Sequence, residues 1–347
     1  MKPLETTEQV FDIAFAYMGS KALFAALHVG VFDALADGPK PLATIARDTD
    51  CGERSLLTLL TALVSIGLLA KEGDEYSNAP ASQAALVSGP AGGFADYCRH
   101  QVDRQMYPFL HNVADVIRGR RDTVPFEDYE AWFSDSGEAS LYSEAQHAVS
   151  LPTALLLAAV SELKDCRRLL DIGGGSGAFS ITLCQQNPDL EATIIDFANV
   201  AEVGRRYIAE AGLSDRIEYL CGNALEIEWP FEQDVVLLSY VSGSVSEEGV
   251  SELYRRASRV LRPGGRIIIH DFMVDDDRKG PPLPALWALQ HCAFTPGAVG
   301  LTRGFICGAL EDCGFEKIKS QPFVPGMTTL ITASVSERES QPEAQGA

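Results

Sequence analysis

Between Leu169 and Phe179 the chain reads Leu-Leu-Asp-Ile-Gly-Gly-Gly-Ser-Gly-Ala-Phe, an apolar run that ends in glycines and opens a helical pattern at about Gly177. So sharp a passage from strand to helix needs backbone angles that residues with a Cβ avoid, and it brings main-chain N–H groups close to whatever fills the turn. That narrows the fold to an α/β sheet with a nucleoside- or phosphate-binding turn after its first strand. The region around it keeps the same rhythm. Arg168–Ile172, Ala192–Asp196, Ile217–Cys221, Asp234–Tyr240 and Arg266–Phe272 are short runs rich in Val, Ile and Leu, separated by helical stretches or loops marked by Gly and Pro. This pattern predicts a buried, Rossmann-like sheet with helices on both faces. Phe315–Gln321 and Thr328–Val335 close it as two further strands.

The glycines alone do not choose a ligand. Gly173-x-Gly175-x-x-Ala178 also satisfies a dinucleotide fingerprint, so NAD and S-adenosylmethionine (SAM) both fit. Three other positions favour SAM. Asp171 stands two residues before the first glycine, where it can help place an ammonium group. Asp196 ends the second strand, 19 residues after Gly177, where a carboxylate can accept both ribose hydroxyls. Gly222-Asn223 follows the third strand, and the Asn side chain can hydrogen-bond an adenine amino group. Each has a structural alternative, Asp171 as a helix cap and Asn223 as a turn residue. Their joint placement after successive strands is what favours the cofactor. Phe197, Ala224, Ser239 and Tyr240 complete the expected cofactor set.

Ahead of this region the pattern is helical. A first helix, Thr7 to Ala26, carries Val10, Ile13, Ala14, Tyr17 and Met18 at helical spacing. A short helix at Pro41–Arg47, a turn at Cys51–Arg54, a helix from Ser55 and a hairpin around Lys71–Ser77 together read as a winged helix. Winged helices often bind DNA, but here the second helix carries only Arg54 at its start, and the wing holds Glu72, Asp74 and Glu75. The charge suits dimerisation instead. The expected division is residues 1–95 as the winged-helix-like dimerisation domain and 96–164 as a helical linker and substrate-cleft region. Residues 165–335 then form the SAM-binding catalytic domain, and 336–347 a polar, disordered tail.

Composition excludes other classes. The net charge is −20 and the pI near 4.7, so nucleic acid and anionic lipid are repelled. The short basic runs Arg118–Arg121 and Arg255–Arg262 read as solvated helix faces. Met1–Gln9 has no basic region of a signal peptide, and the longest apolar run, Ala154–Val160, falls far short of the ~20 residues a bilayer needs. Eight cysteines without a C-x-x-C pair, mostly within apolar segments, point to reduced, buried thiols in a cytoplasmic enzyme.

Taken in order, Asp171-Ile-Gly-Gly-Gly-Ser-Gly, Ile195-Asp196, Gly222-Asn223, Asp234-Val-Val-Leu-Leu and Leu261-Arg-Pro-Gly-Gly-Arg resemble the small-molecule O-methyltransferase family. That family includes acetylserotonin, plant phenolic and bacterial polyketide methyltransferases. The resemblance implies a class I SAM methyltransferase with a winged-helix dimerisation domain, a homodimer, and a small-molecule acceptor in a cleft beside the SAM domain. Two departures stand out. The family's adenine-side Asp is Asn223. The family's His-Asp-Trp after the fourth strand, whose His is the general base, is Gly243-Ser244-Val245 here. A phenol of pKa about 10 benefits from a base, worth about 10²- to 10⁴-fold. A thioether sulfur carries no proton and needs none. The chain is therefore similar to the bacterial S-methyltransferase branch that acts on 4-methylthio-2-hydroxybutyrate on the way to dimethylsulfoniopropionate, which becomes the favoured substrate.

The resemblance places Tyr142, Gln146 and His147 on the helix before the SAM domain, facing the cleft. It adds Trp287, Gln290 and His291 from the segment Pro284–Cys292. Arg99 or Arg104 can clamp a substrate carboxylate, and Tyr142 or Trp287 can face a sulfonium. The plain alternatives are a core Trp and an Arg104 paired with Asp103 or a nearby Glu. Tyr142, His147 and His291 are the catalytic candidates, since a relocated base would restore O- or C-methylation of an aromatic or keto-acid metabolite. A third reading is a SAM-binding protein that transfers no methyl group. His270, Asp271 and His291 invite a metal triad, but adjacent residues on a strand face opposite ways, so no metal is expected.

Overall fold

The computed structural model describes residues 2–89, 93–120, 128–161, 163–292 and 300–337, which group as two units. The first comprises residues 2–108 with 144–149. Its opening helix, Thr7–Val29, begins in a capping box between Thr6 and Gln9 and stops at Gly30, whose φ is 78°. Val10, Phe11, Ile13, Phe15, Tyr17 and Met18 are each at least half exposed. The helical spacing is thus present but its apolar side is left uncovered within this unit; of this helix only Phe24, Ala26 and Leu27 are buried. By length and composition alone the helix is apolar enough to cross a membrane, a test that core helices and signal sequences also pass.

Behind it, the helices Leu42–Asp48 and Glu53–Ser65 bury Ile45, Leu56, Leu60 and Leu63 against Phe24, Leu27 and Phe32. Strands β1 (Lys40–Pro41), β2 (Leu69–Glu72) and β3 (Glu75–Asn78) form an antiparallel sheet in the order β1-β3-β2. The helix–turn–helix and hairpin read from the sequence are therefore present.

The second unit comprises residues 109–143 and 150–337. Strands β4 (Arg168–Ile172), β5 (Glu191–Asp196), β6 (Ile217–Cys221), β7 (Gln233–Ser239), β8 (Leu261–Asp271), β9 (Glu316–Pro322) and β10 (Thr329–Ser334) form one sheet ordered β6-β5-β4-β7-β8-β10-β9. The first five run parallel, and β10 is antiparallel to both neighbours. Alternate side chains feed opposite cores. Leu170, Ile172, Val236, Leu238, Ile267 and Ile269 pack on one face, and Leu169, Ile194, Val235, Leu237 and Ile268 on the other. Chain order reverses between β4 and β7, and such a switch point opens a crevice beyond the carboxyl ends of the strands.

The basic runs are neutralised locally. Arg118 and Arg120 pair with Asp115, Arg255 and Arg256 with Glu252, and Arg262 with Asp234. All eight cysteines are free; Cys98, Cys166 and Cys184 are buried, whereas Cys221 is exposed, contrary to a uniformly buried set. Of the tail expected at 336–347, Ser336 accepts from the Gly264 N–H and Glu337 pairs with Lys317, whereas residues 338–347 lie outside the described residues, as do residues 121–127, Arg121 among them.

Candidate functional site

The glycine turn follows β4 at once. Gly173, Gly175 and Gly177 have φ of 61°, 59° and 80°, a region that costs a residue with a Cβ about 1–2 kcal/mol. At Gly175 no atom lies within 4 Å of where a Cβ would stand. Its glycine therefore answers to conformation, not to packing, and leaves the space over the turn open. Two groups pin the turn: Tyr219 on β6 donates its hydroxyl to the Gly175 carbonyl at 2.7 Å, and Asp196 Oδ2 accepts from the Gly175 N–H at 2.8 Å. Tyr219 fills the space over Gly204, where any Cβ would overlap its phenol.

Asp196, at the end of β5, also accepts from the Phe197 N–H at 2.7 Å. Burial raises its pKa to about 6, although both N–H bonds pull the other way. Its carboxylate keeps lone pairs free and part of its surface accessible, which suits a vicinal diol. Asp171 is placed differently. It is 1% exposed, accepts from Ser180 Oγ at 2.7 Å and presses on Gly174, while burial lifts its pKa to about 7. The Ser180 bond ties the turn to the helix Ala178–Gln186 without capping it, since Gly177 stands at the cap and no side chain bonds there. Asn223 uses both ends of its amide: Oδ1 accepts from the Leu225 N–H at 3.0 Å and Nδ2 donates to Glu130 Oε2 at 2.9 Å. Ala224 turns its carbonyl to the Trp229 and Arg256 side chains. Ser239 Oγ lies 2.9 Å from His270 Nδ1. Tyr240 has φ 61°, an uncommon value for a bulky residue, and such strain collects at functional sites.

Beyond β7 the chain makes one tight turn, Ser242–Ser244. The Gly243 N–H donates to Asp271 Oδ2 at 3.1 Å, and the Gly243 carbonyl accepts from His291 Nδ1 at 2.8 Å. A carbonyl only accepts, so Nδ1 carries the proton and Nε2 the lone pair. Burial pulls the His291 pKa down to about 4 against the contrary effect of that bond. Asp271 is raised to about 7, because desolvation outweighs N–H bonds from Gly243, Phe272 and Ser242. A Cβ at Gly243 would meet Asp271 at 3.5 Å and Leu301 at 3.8 Å, ordinary contacts. Neither strain nor crowding imposes glycine there.

Of the expected acceptor-side residues, three converge. The Tyr129 ring lies 6.5 Å from both Tyr142 and His291, and Trp287 lies 6.1 Å from His291 while stacking on Phe272 at 4.5 Å. Gln290 shares the helix Pro282–His291. Arg99, Arg104, Gln146 and His147 belong to the first unit. Arg99 is engaged by Asp96 at 2.7 Å and the Leu27 carbonyl at 3.2 Å, and Asp103 receives Lys21 and His28. Burial brings His147 to about 4 as well. Among the described residues no group of three or more His, Cys, Asp or Glu is arranged for a metal.

Sequence reading missed Tyr219, Gly204, Glu130 and Tyr129, and considered Asp271 only as a metal ligand. Tyr129 and Glu130 come from a five-residue helix, Tyr129–Phe133, far from any motif. Gly204 lies mid-helix, where its lack of a side chain was the one available signal.

A family model described as an O-methyltransferase domain matches residues 110–308, and one described as an O-methyltransferase dimerisation domain matches residues 11–88. The 3-hydroxy-5-methyl-1-naphthoate 3-O-methyltransferase of Streptomyces sahachiroi is 30% identical over 322 residues, 92% of this chain and 93% of its own. The aclacinomycin 10-hydroxylase of Streptomyces purpurascens is 28% identical over 362 positions, covering 99% of this chain and 96% of its own. A structure of human N-acetylserotonin methyltransferase in complex with SAM superimposes with a TM-score of 0.84 at 23% identity, covering 97% of this chain and 100% of that one.

Proposed function

The chain belongs to the O-methyltransferase family, and from that premise we propose that it methylates the thioether sulfur of a small hydroxy acid. Its cofactor is SAM, which supplies an electrophilic methyl group when bound, and the dimerisation domain supports self-association. The exposed apolar residues of the Thr7–Val29 helix give a second copy a surface to cover. Free cysteines throughout agree with a cytoplasmic setting.

The observation that carries the sulfur reading is the missing side chain at the position where the resemblance expects the base. Position 243 has no side chain, and the two histidines that would replace it, His147 and His291, are both held at about 4. A base that weak is poorly matched to a phenol of pKa about 10. What the protein can supply is placement and charge. The turn at Gly175 and the carboxylate of Asp196 fix the donor end. Tyr142, Trp287 and Tyr129 offer π faces to a cationic product, and near-attack distances of roughly 3–3.5 Å do the rest. A thioether needs no more, and 4-methylthio-2-hydroxybutyrate, the precursor chemistry of dimethylsulfoniopropionate, fits such a site.

One observation favours a second reading. The Gly243 carbonyl holds His291 in the tautomer whose Nε2 is a lone pair, which is the form a base for O-methylation requires. The test is product analysis with methyl-labelled SAM, offered 4-methylthio-2-hydroxybutyrate beside catechols and phenols. Label in a sulfonium product supports the first reading. Label only on oxygen or carbon overturns it, and the absence of labelled product overturns methyl transfer itself.

A further inference from the structure

Asn223 stands where the resemblance expects an aspartate, and the structure shows what its amide does instead. The Leu225 N–H can only donate and the Glu130 carboxylate can only accept, so the two partners fix the amide orientation without ambiguity: Oδ1 toward Leu225, Nδ2 toward Glu130. Two things remain on offer beside the third strand's end. One is the second Nδ2–H of Asn223. The other is the set of unused lone pairs on Glu130, an exposed carboxylate brought there from a helix 93 residues earlier in the chain.

We propose that Glu130 is the residue that selects adenine, accepting from the 6-amino group of the cofactor while Asn223 donates to a neighbouring ring nitrogen. The inference rests on the reading that SAM occupies the crevice beyond β4 to β6. The chemistry is complementary as a pair. Adenine presents a donor (the amino group) next to an acceptor (a ring nitrogen), and Glu130 with Asn223 presents an acceptor next to a donor. Hypoxanthine reverses both, setting a carbonyl against the carboxylate and an N–H against an N–H. The carboxylate lost from β6's end is thus returned from another element.

The Tyr129–Phe133 helix is anchored for the task on either side of Glu130. The Tyr129 hydroxyl pairs with the Ser244 and Tyr142 side chains. The carbonyls of Phe133 and Ser134 accept from Asn199 Nδ2 at 2.9 and 3.1 Å, and the Phe133 ring lies 6.3 Å from Phe197. Glu130 is therefore carried on a segment tied to the ends of β5 and β7.

Calorimetry with S-adenosylhomocysteine and its deaminated analogue, S-inosylhomocysteine, tests this. The wild-type chain is expected to prefer the adenosyl compound by at least about tenfold, as a pair of groups set to hydrogen-bond one donor–acceptor pattern rejects the reversed one. Glu130→Ala should bind the two within about twofold of each other, and Glu130→Ala with Asn223→Asp should recover the preference. Merely loosening the helix would weaken both compounds alike and leave their ratio, so the ratio separates selection from support. Retention of the full preference in Glu130→Ala overturns the inference. Failure of the wild-type chain to bind either compound overturns the cofactor reading beneath it.

Discussion

The two sides of the crevice are built in opposite ways. On the donor side the groups come from neighbouring strand ends, and their bonds run between adjacent elements: Gly175 to Asp196, Gly175 to Tyr219, Asp171 to Ser180. On the acceptor side a bare turn at Gly243 is furnished by the end of β8 through Asp271 and by the helix Pro282–His291 through His291. The first side is a frame held together among the parallel strands β4, β5 and β6. The second is a vacancy refilled by whatever tertiary packing delivers. That difference teaches why a fold can keep its cofactor while its chemistry changes.

Removing Asp196 should give the largest effect. Each of its charge-assisted bonds to a bound diol is worth roughly 1.5–3 kcal/mol, so Asp196→Ala should weaken S-adenosylhomocysteine by at least about 100-fold in calorimetry. A loss under about threefold would break the assignment of the donor side. Next comes Gly204→Ala, which has no room beside Tyr219. The displaced phenol frees the Gly175 carbonyl, and affinity should fall by about tenfold together with a lowered melting temperature. Tyr219→Phe should lose less, because it keeps the ring and removes the one hydrogen bond.

On the acceptor side the expected effects are smaller. His291→Gln should reduce kcat less than about fivefold with a thioether acceptor, whereas a true general base would cost about 10²- to 10⁴-fold. The smallest effect links both sides through stability. Asp171 and Asp271 sit at about 7 in the folded chain, against about 3.9 when unfolded. Between those values the folded chain holds more protons than the unfolded one, so stability falls as pH rises through that window. The free protein should melt higher at pH 6 than at pH 8. Asp171→Asn and Asp271→Asn should each flatten part of that slope, and a steeper slope in either variant would contradict the burial argument.

The donor side was legible because its signal is local. A glycine turn, an acidic strand end and a Gly-Asn step are dictated within a few residues, and the apolar runs marked the strands to within a residue or two, apart from β8, which begins five residues earlier. The acceptor side was legible only as an absence, Gly243. That Asp271 would receive the turn's N–H and His291 its carbonyl depends on where β8 and the Pro282–His291 helix end in space, which spacing along the chain does not encode. The same limit hid Glu130. The first helix was legible as a helix but not in its exposure: Val10, Ile13, Tyr17 and Met18 recur at helical spacing, and periodicity cannot distinguish a face buried in its own fold from one left for a partner.

Methyl transfer to a thioether sulfur needs no proton removed. The rate of a single turnover on 4-methylthio-2-hydroxybutyrate, followed from about pH 6.5 to 9 in the wild-type chain and in His291→Gln, tests it most directly. The expected result is two flat profiles of similar height. A rising limb in the wild-type chain that vanishes in the variant would contradict the account.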